Sequence, residues 1–476
     1  MLLFDGGVMD KSTTPIVFKN KILILGFGSI GQAILPLLFQ YFKLDPSQIH
    51  ILSKHNLGAD VAKNYHVPLN NIAVTETNYQ ALLSSILKPG DFLLNLSVGV
   101  SSIDLIKYCH INKILYLDAA SESWEAMHSD KGQLLSNYAL RHTALQYKKH
   151  GSTAVLTHGA NPGLVSHFLK QALWNVAKDN KWTGCLPQKS VEWAQLACDL
   201  GIKTIHISEH DTQVSSQTKK ADEFVNTWSV EALISEALRP AELGWGSHER
   251  HWPHDANHHK FGSKCGIYLS QPGAETQVRT WIPASGPING FLITHAESLS
   301  IAEYLTLKKD NKVYYRPTVH YAYHPCPDAV LSLNELVQRK YIPQKEKRII
   351  LKEIIDGADE LGVLLMGNKK GAYWYGSHLS IHEAKNLANY NNATSLQVAA
   401  GVLSGMIWAI QNPERGIVEP EDMDYEYILS LALPYLGKVG GYYTDWTPLQ
   451  DKNNSNAKYT DQSDPWQFIN IRIKEV

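Results

Sequence analysis

"NKILILGFGSIGQAILPLLFQYF", residues 20–42, runs a short apolar block into three glycines and then into a second apolar stretch. Ile22 to Leu25 read as a strand buried on both faces, because an unbroken apolar run leaves no side for water. Gly26, Gly28 and Gly31 stand in G-x-G-x-x-G register, and beyond them the pattern becomes helical. Gly26 permits a tight turn, Gly28 lets a pyrophosphate approach the backbone, and Gly31 allows helix and strand to pack closely. The helix N-terminus then faces the phosphates, with Ser29 and Ile30 inside the same turn. This strand–turn–helix context predicts an α/β fold that opens with a Rossmann-type dinucleotide-binding domain.

The next strand, "QIHILSKH", ends where a ribose-binding acid is expected, about 20 residues further on. Ser53, Lys54 and His55 stand there instead. Locally that favours the 2′-phosphate of NADP, or a looser ribose site around Ser53. "DFLLNLSVGVSS" and "KILYLDAAS" are further strands ending in small or polar loops. Ligands sit beyond the carboxyl ends of such strands, which puts Ser97, Val98, Asp118, Ala119 and Glu122 on the cofactor and substrate side. In "AVLTHGANPGLVSHFLKQAL" the junction is Asn161-Pro162-Gly163. Asn161 can hydrogen-bond a nicotinamide amide or a substrate amine, or serve as a helix N-cap with proline at N1.

The bulk composition narrows the classes. The chain has 476 residues, with 44 basic against 46 acidic side chains. Such length suggests two to four domains, and the charge balance carries no basic nucleic-acid footprint. Five cysteines at wide spacing, without a C-x-x-C pair, read as free thiols of a reducing compartment. The opening "MLLFDGGVMDKSTT" lacks a basic-then-apolar signal layout. The longest apolar run, Val398 to Ile410, reads as a buried helix too short to span a bilayer. A cytoplasmic protein without membrane or nucleic-acid partners is expected.

Past residue 165 the pattern changes to a mixed or antiparallel second domain. "TIHISEHDTQVS" reads as a strand with Glu209 at its end. "VNTWSVEALISEALRPAE" carries Val230, Leu233, Ile234 and Leu238 at helical spacing, with Asn226 or Thr227 as cap. Glu236 falls off that apolar face, so it is solvated or lines a cleft. The histidines of "LGWGSHERHWPHDANHHKFGS" lie in a loop rich in Pro, Asn and Gly, and read as solvated rather than as a metal site. "IIDGADELGVLLMG" reads as a strand preceded by Asp356, Asp359 and Glu360. The following apolar helix, from "NATSLQ" onward, is expected to return to the first domain.

Taken together, "ILGFGSIGQ", "HGANPGLVSHF", "SEHDTQ", "NTWSVEALISEALRPAELGWGSHE", "GFLITHAESLSIAEYL", "RPTVHYAYHPCPDA" and "DGADELGVLLMG" resemble the bacterial homospermidine synthase family, within the saccharopine-dehydrogenase-like group. The resemblance runs nearly end to end. It implies a Rossmann domain over 1–160, an inserted α+β substrate and dimerisation domain over 161–384, and a segment over 385–476 returning to the first. It further implies a homodimer that uses NAD to join two putrescines into homospermidine with loss of ammonia, spermidine serving as an alternative donor.

The same resemblance places a cation–π tryptophan on Trp228 and the acid holding the distal amine on Glu209. Glu236 becomes an acid of the amine entry path, and Asn161 and His295 the asparagine and histidine of the catalytic pocket. Glu297, Asp359 and Glu122 are the remaining pocket acids, and no metal is called for. A diamine suits this set, since carboxylates hold ammonium ends and an indole face holds a cation between them. His295 is expected to move protons, its ordinary pKa lying near neutrality. The competing reading is a saccharopine or carboxyspermidine dehydrogenase, whose α-carboxylate substrates would want arginine clamps.

Overall fold

Ile22–Leu25 is a fully buried strand, and Gly26 turns its end with φ of +84°. A side chain there would put its Cβ 2.6 Å from the Leu96 carbonyl oxygen, so glycine is demanded by angle and by space. The helix Ser29–Tyr41 follows at once. In the computed structural model, which describes residues 15–124, 136–147, 150–450 and 460–473, this strand lies within a seven-stranded sheet. The N-terminal stretch read above for targeting layout, residues 1–14, lies outside the described residues.

From edge to edge the strands are Ile417–Val418, Ala154–Val155, Leu115–Asp118, Phe92–Asn95, Ile22–Leu25, Ile49–Ser53 and Leu69–Asn71, every neighbour parallel. The order reverses between Phe92–Asn95 and Ile22–Leu25. At such a reversal the carboxyl ends of the strands open a crevice, where α/β sheets bind ligands. The Rossmann-type architecture expected from the glycine turn is the one found.

The second sheet has ten strands and is mixed. Thr204–Asp211 runs through its middle, parallel to Thr318–His324 and antiparallel to Ala358–Asn368. That register sets Tyr323 opposite Glu209 and Asp359 opposite Asp211. Asp359 and Glu360, expected just before a strand, are inside it. The sequence cue was the apolar run from Leu361, but backbone pairing extends further because Asp211 and His210 continue the partner strand.

Two other expectations are revised. The helix Val230–Leu238 is capped by Ser229, whose hydroxyl accepts from the Ala232 N–H. Asn226 belongs instead to a short strand paired with Glu346–Ile349, and the Thr227 hydroxyl is engaged elsewhere. The C-terminal return is partial. Helix Ala393–Gln411 packs on Ser29–Tyr41 and strand Ile417–Val418 completes the parallel sheet, but Lys438–Thr444 pairs with Gly371–Ser380 at the edge of the other sheet. The 19-residue helix Ala393–Gln411 is apolar and long enough to cross a bilayer, yet 89% of its apolar window is buried inside the protein. It is a core helix that touches both sheets.

Candidate active site

The strand ends of the first sheet and the acid-bearing strands of the second line a partly open cleft. On the first side Ile30, Ser97, Val98 and Ala119 line it. The helix from Ser29 has Gly28 at its N-cap and no side chain bonded to its first-turn amides. A Cβ on Gly28 would meet nothing within 4 Å, so the amides look into open space. Uncovered N–H groups at a helix start beside a glycine are the fit a pyrophosphate requires. Ser53 ends the neighbouring strand, its hydroxyl 3.4 Å from the His55 N–H. Gly31 turns inward, packing toward the Gly26 carbonyl.

Asp118 departs from expectation. Its carboxylate is fully buried and accepts from the Thr157 N–H at 2.7 Å and the Tyr116 hydroxyl at 2.8 Å. Burial pushes it up to about 6, against those bonds. The side chain ties strand ends together instead of facing the cleft.

Across the cleft, Glu209 Oε2 accepts from the Tyr321 hydroxyl at 2.6 Å and from Asn161 Nδ2 at 2.9 Å. Asn161 is not a helix cap, because the helix starts at Leu164 behind Gly163 and leaves the amide to Glu209. Burial pushes Glu209 up to about 7. Asp211 adds to that rise, while Tyr321, His295 and Asn161 oppose it. Trp228 is half-buried on the same wall, its Nε1 donating to the Tyr323 hydroxyl at 3.1 Å. Its neighbour Thr227 is fixed at both ends: the hydroxyl donates to Asp211 at 2.6 Å, and the carbonyl accepts from Asn392 at 2.7 Å. The indole plane is therefore set by residues from three separate segments.

His295 stands between two carboxylates, Nδ1 3.1 Å from Glu297 and Nε2 3.2 Å from Glu236. Burial disfavours its charge, but the pair outweighs burial and pushes it up to about 10. It is held as an imidazolium donating from both nitrogens. The proton-moving role expected from an ordinary histidine pKa does not suit this geometry. Glu236 lines the cleft and is not a solvated bystander. Glu122 also lines it, 3.8 Å from Arg239 Nη2, and burial pushes it up to about 7 with Arg239 opposing.

Glu297 and Asp359 stand behind the cleft wall. Glu297 supports His295. Asp359 Oδ2 accepts from the Thr394 hydroxyl at 2.5 Å, and it is Thr394 that reaches the cleft. Burial, then Glu209 and Asp211, hold Asp359 well above the carboxylate range, and its Oδ1 has no hydrogen-bond partner. Tyr321, Thr394, Asn137 and Arg239 also line the cleft, and Asp211 supports it from behind. The alternation in "VHYAYH" hinted that Tyr321 and Tyr323 share a face; only the pairing with Thr204–Asp211 says which groups they meet.

The loop histidines are dispersed. His259 stacks on Tyr138 with ring centroids 3.8 Å apart, His248 meets the Trp466 carbonyl, and His251 pairs with Asp461. Among the described residues no group of three or more His, Cys, Asp or Glu side chains converges on a metal position.

Residues 22–157 match the saccharopine dehydrogenase NADP binding domain, and residues 159–444 match the saccharopine dehydrogenase C-terminal domain. The chain is 48% identical to a homospermidine synthase of Blastochloris viridis, covering 96% of this chain and 98% of that one. It is 47% identical to a homospermidine synthase of Mesorhizobium japonicum, covering 96% of each. Among solved structures, the homospermidine synthase of Legionella pneumophila in complex with NAD matches with a TM-score of 0.92 at 54% identity. That match covers 97% of this chain and 99% of the other.

Proposed function

The chain belongs to the homospermidine synthase family, and we propose that it joins two putrescines into homospermidine with release of ammonia, using NAD without net consumption. With spermidine as donor, 1,3-diaminopropane leaves instead. One observation carries the reading beyond resemblance: a buried carboxylate, Glu209, and an indole face share one cleft with an open dinucleotide turn. Substrates bearing α-carboxylates, as a saccharopine or carboxyspermidine dehydrogenase would take, need basic clamps. Arg239, the arginine of this cleft, already stands beside Glu122.

Gly26, Gly28 and the first turn from Ser29 would hold the pyrophosphate of NAD, with Ser53 available to the ribose and Ile30, Ser97, Val98 and Ala119 available to the remainder. When bound, the cofactor supplies a two-electron acceptor that ends each cycle as it began. Glu209 pairs with an ammonium of the diamine, its Oε2 aimed by Asn161. Trp228 presents its face to the C=N cation formed on the substrate, a contact worth roughly 2 kcal/mol when water is excluded. His295 stays charged, donates hydrogen bonds and keeps Glu236 oriented along the amine path. Glu209 and Glu122, both pushed up to about 7, are the groups that change protonation near neutrality. They hold the proton an ammonium sheds before oxidation and return it to the departing ammonia.

The reading carries the homodimer that the resemblance implies and the cytoplasmic location expected from the cysteine pattern and composition, and light scattering on the purified protein tests the dimer. The reaction itself is tested with putrescine and a small fraction of an equivalent of NAD. Homospermidine and ammonia should form over many turnovers without NADH build-up. NADH accumulating one-for-one with product would mark a plain dehydrogenase.

A further inference from the structure

Tyr321 is assigned no role by the reading above, yet three of the groups that reading uses meet on it. Its hydroxyl donates to Glu209 Oε2 at 2.6 Å. Its ring lies 4.4 Å from the His295 ring at an interplanar angle of 33°. It also stacks on Tyr323 at 5.3 Å and 12°, and the Tyr323 hydroxyl accepts the Trp228 N–H. The ring is 2% exposed but borders the cleft. We propose that Tyr321 is a positioning residue of this site: its hydroxyl holds Glu209 as a carboxylate aimed into the cleft, and its ring sets the plane of His295.

The surroundings of Glu209 make such a donor necessary. Asp211 follows on the same strand and raises Glu209, while Asp359 on the adjacent strand, held well above the carboxylate range, brings no compensating cation. His295 is the facing cation, but it is already shared between Glu236 and Glu297. Asn161 supplies one neutral N–H to the same oxygen. Tyr323, the other hydroxyl packed on this group, is turned to the indole. Tyr321 itself resists ionisation: burial first, and then the charge of Glu209, hold its phenol well above 10, so it remains a donor throughout the working range. A hydrogen bond from a neutral donor to a buried carboxylate favours the ionised form over the acid.

The test rests on the proposed activity and reads the pH profile of kcat/KM for the amine, which reports groups of the free enzyme. Removing the donor raises the pH at which Glu209 ionises. Tyr321→Phe, which keeps the ring, should therefore lose about fivefold at pH 7 and recover as pH rises. Its acid limb should move up by about one pH unit, with NAD affinity and melting temperature close to wild type. Fluorotyrosine placed at 321, a stronger donor of the same shape, should move the limb downward, and it decides the matter if the phenylalanine variant folds poorly. A limb unmoved in both, or a loss that is uniform across pH, would overturn the assignment. A wild-type enzyme that makes no homospermidine would sink the functional reading instead; the limb can then be read on whichever amine it does turn over.

Discussion

The two walls of the cleft are built by different means. The dinucleotide wall comes largely from one contiguous turn, Leu25 to Gly31, and acts through backbone: a left-handed glycine, free amides and open space. The amine wall comes from Asn161, Glu209, Trp228, Glu236, His295 and Tyr321, spread over 161 positions of chain. It acts through side chains, several of them charged and almost dry. The first wall is robust because it asks only for the absence of side chains. The second holds carboxylates at the edge of protonation, so small changes of donor or charge alter what it does.

The sharpest way to break this contrast is at Gly28. A Cβ there meets no protein atom, so Gly28→Val should fold with a near-wild-type melting temperature. It should nevertheless weaken NAD binding by about a hundredfold or more, roughly 2.7 kcal/mol, by filling the space above the amides. Tight NAD binding by this variant, measured by calorimetry, would show that the turn is only structural.

On the other wall, Trp228→Ala should cost roughly 2 kcal/mol of transition-state stabilisation, about thirtyfold in kcat/KM, and Trp228→Phe clearly less. Melting curves run alongside distinguish this from unfolding. Equal activity of the Phe and Leu variants would remove the cation–π role.

Glu209 yields a prediction about stability as well as activity. Its folded pKa, pushed up to about 7, lies above that of an unfolded glutamate. Between those values the folded chain holds a proton that the unfolded chain has released, so this group's stabilising contribution falls as pH rises to about 7. Glu209→Gln should lose putrescine affinity by about tenfold while gaining stability relative to wild type, and the gain should widen from pH 5 to pH 8. A melting-temperature difference that is flat with pH would contradict the raised value.

The smallest effect expected is in cofactor choice. Ser53, Lys54 and His55 alone favour NADP, whereas the reading adopted here requires NAD. Dissociation constants for both should favour NAD; a tenfold preference for NADP, about 1.4 kcal/mol, would restore the local reading.

By itself the sequence determined the first wall and the family. Gly26, Gly28 and Gly31 sit within one turn of chain, where steric limits on φ and the need for close approach are local properties that residue identity states outright. It also supplied the names of most acids on the second wall, through whole-motif resemblance. What it did not contain was their electrostatic state. Whether Asp118 faces ligand or ties strands, whether Asn161 caps a helix or holds Glu209, and whether His295 is a base or a fixed cation all depend on partners 39 to 59 positions away or on burial that no window reveals. The tertiary structure decided these, because pairing Thr204–Asp211 with both Thr318–His324 and Ala358–Asn368 puts three carboxyls and two tyrosines into one dry space. There desolvation and neighbouring charge, not residue type, set which group carries a proton.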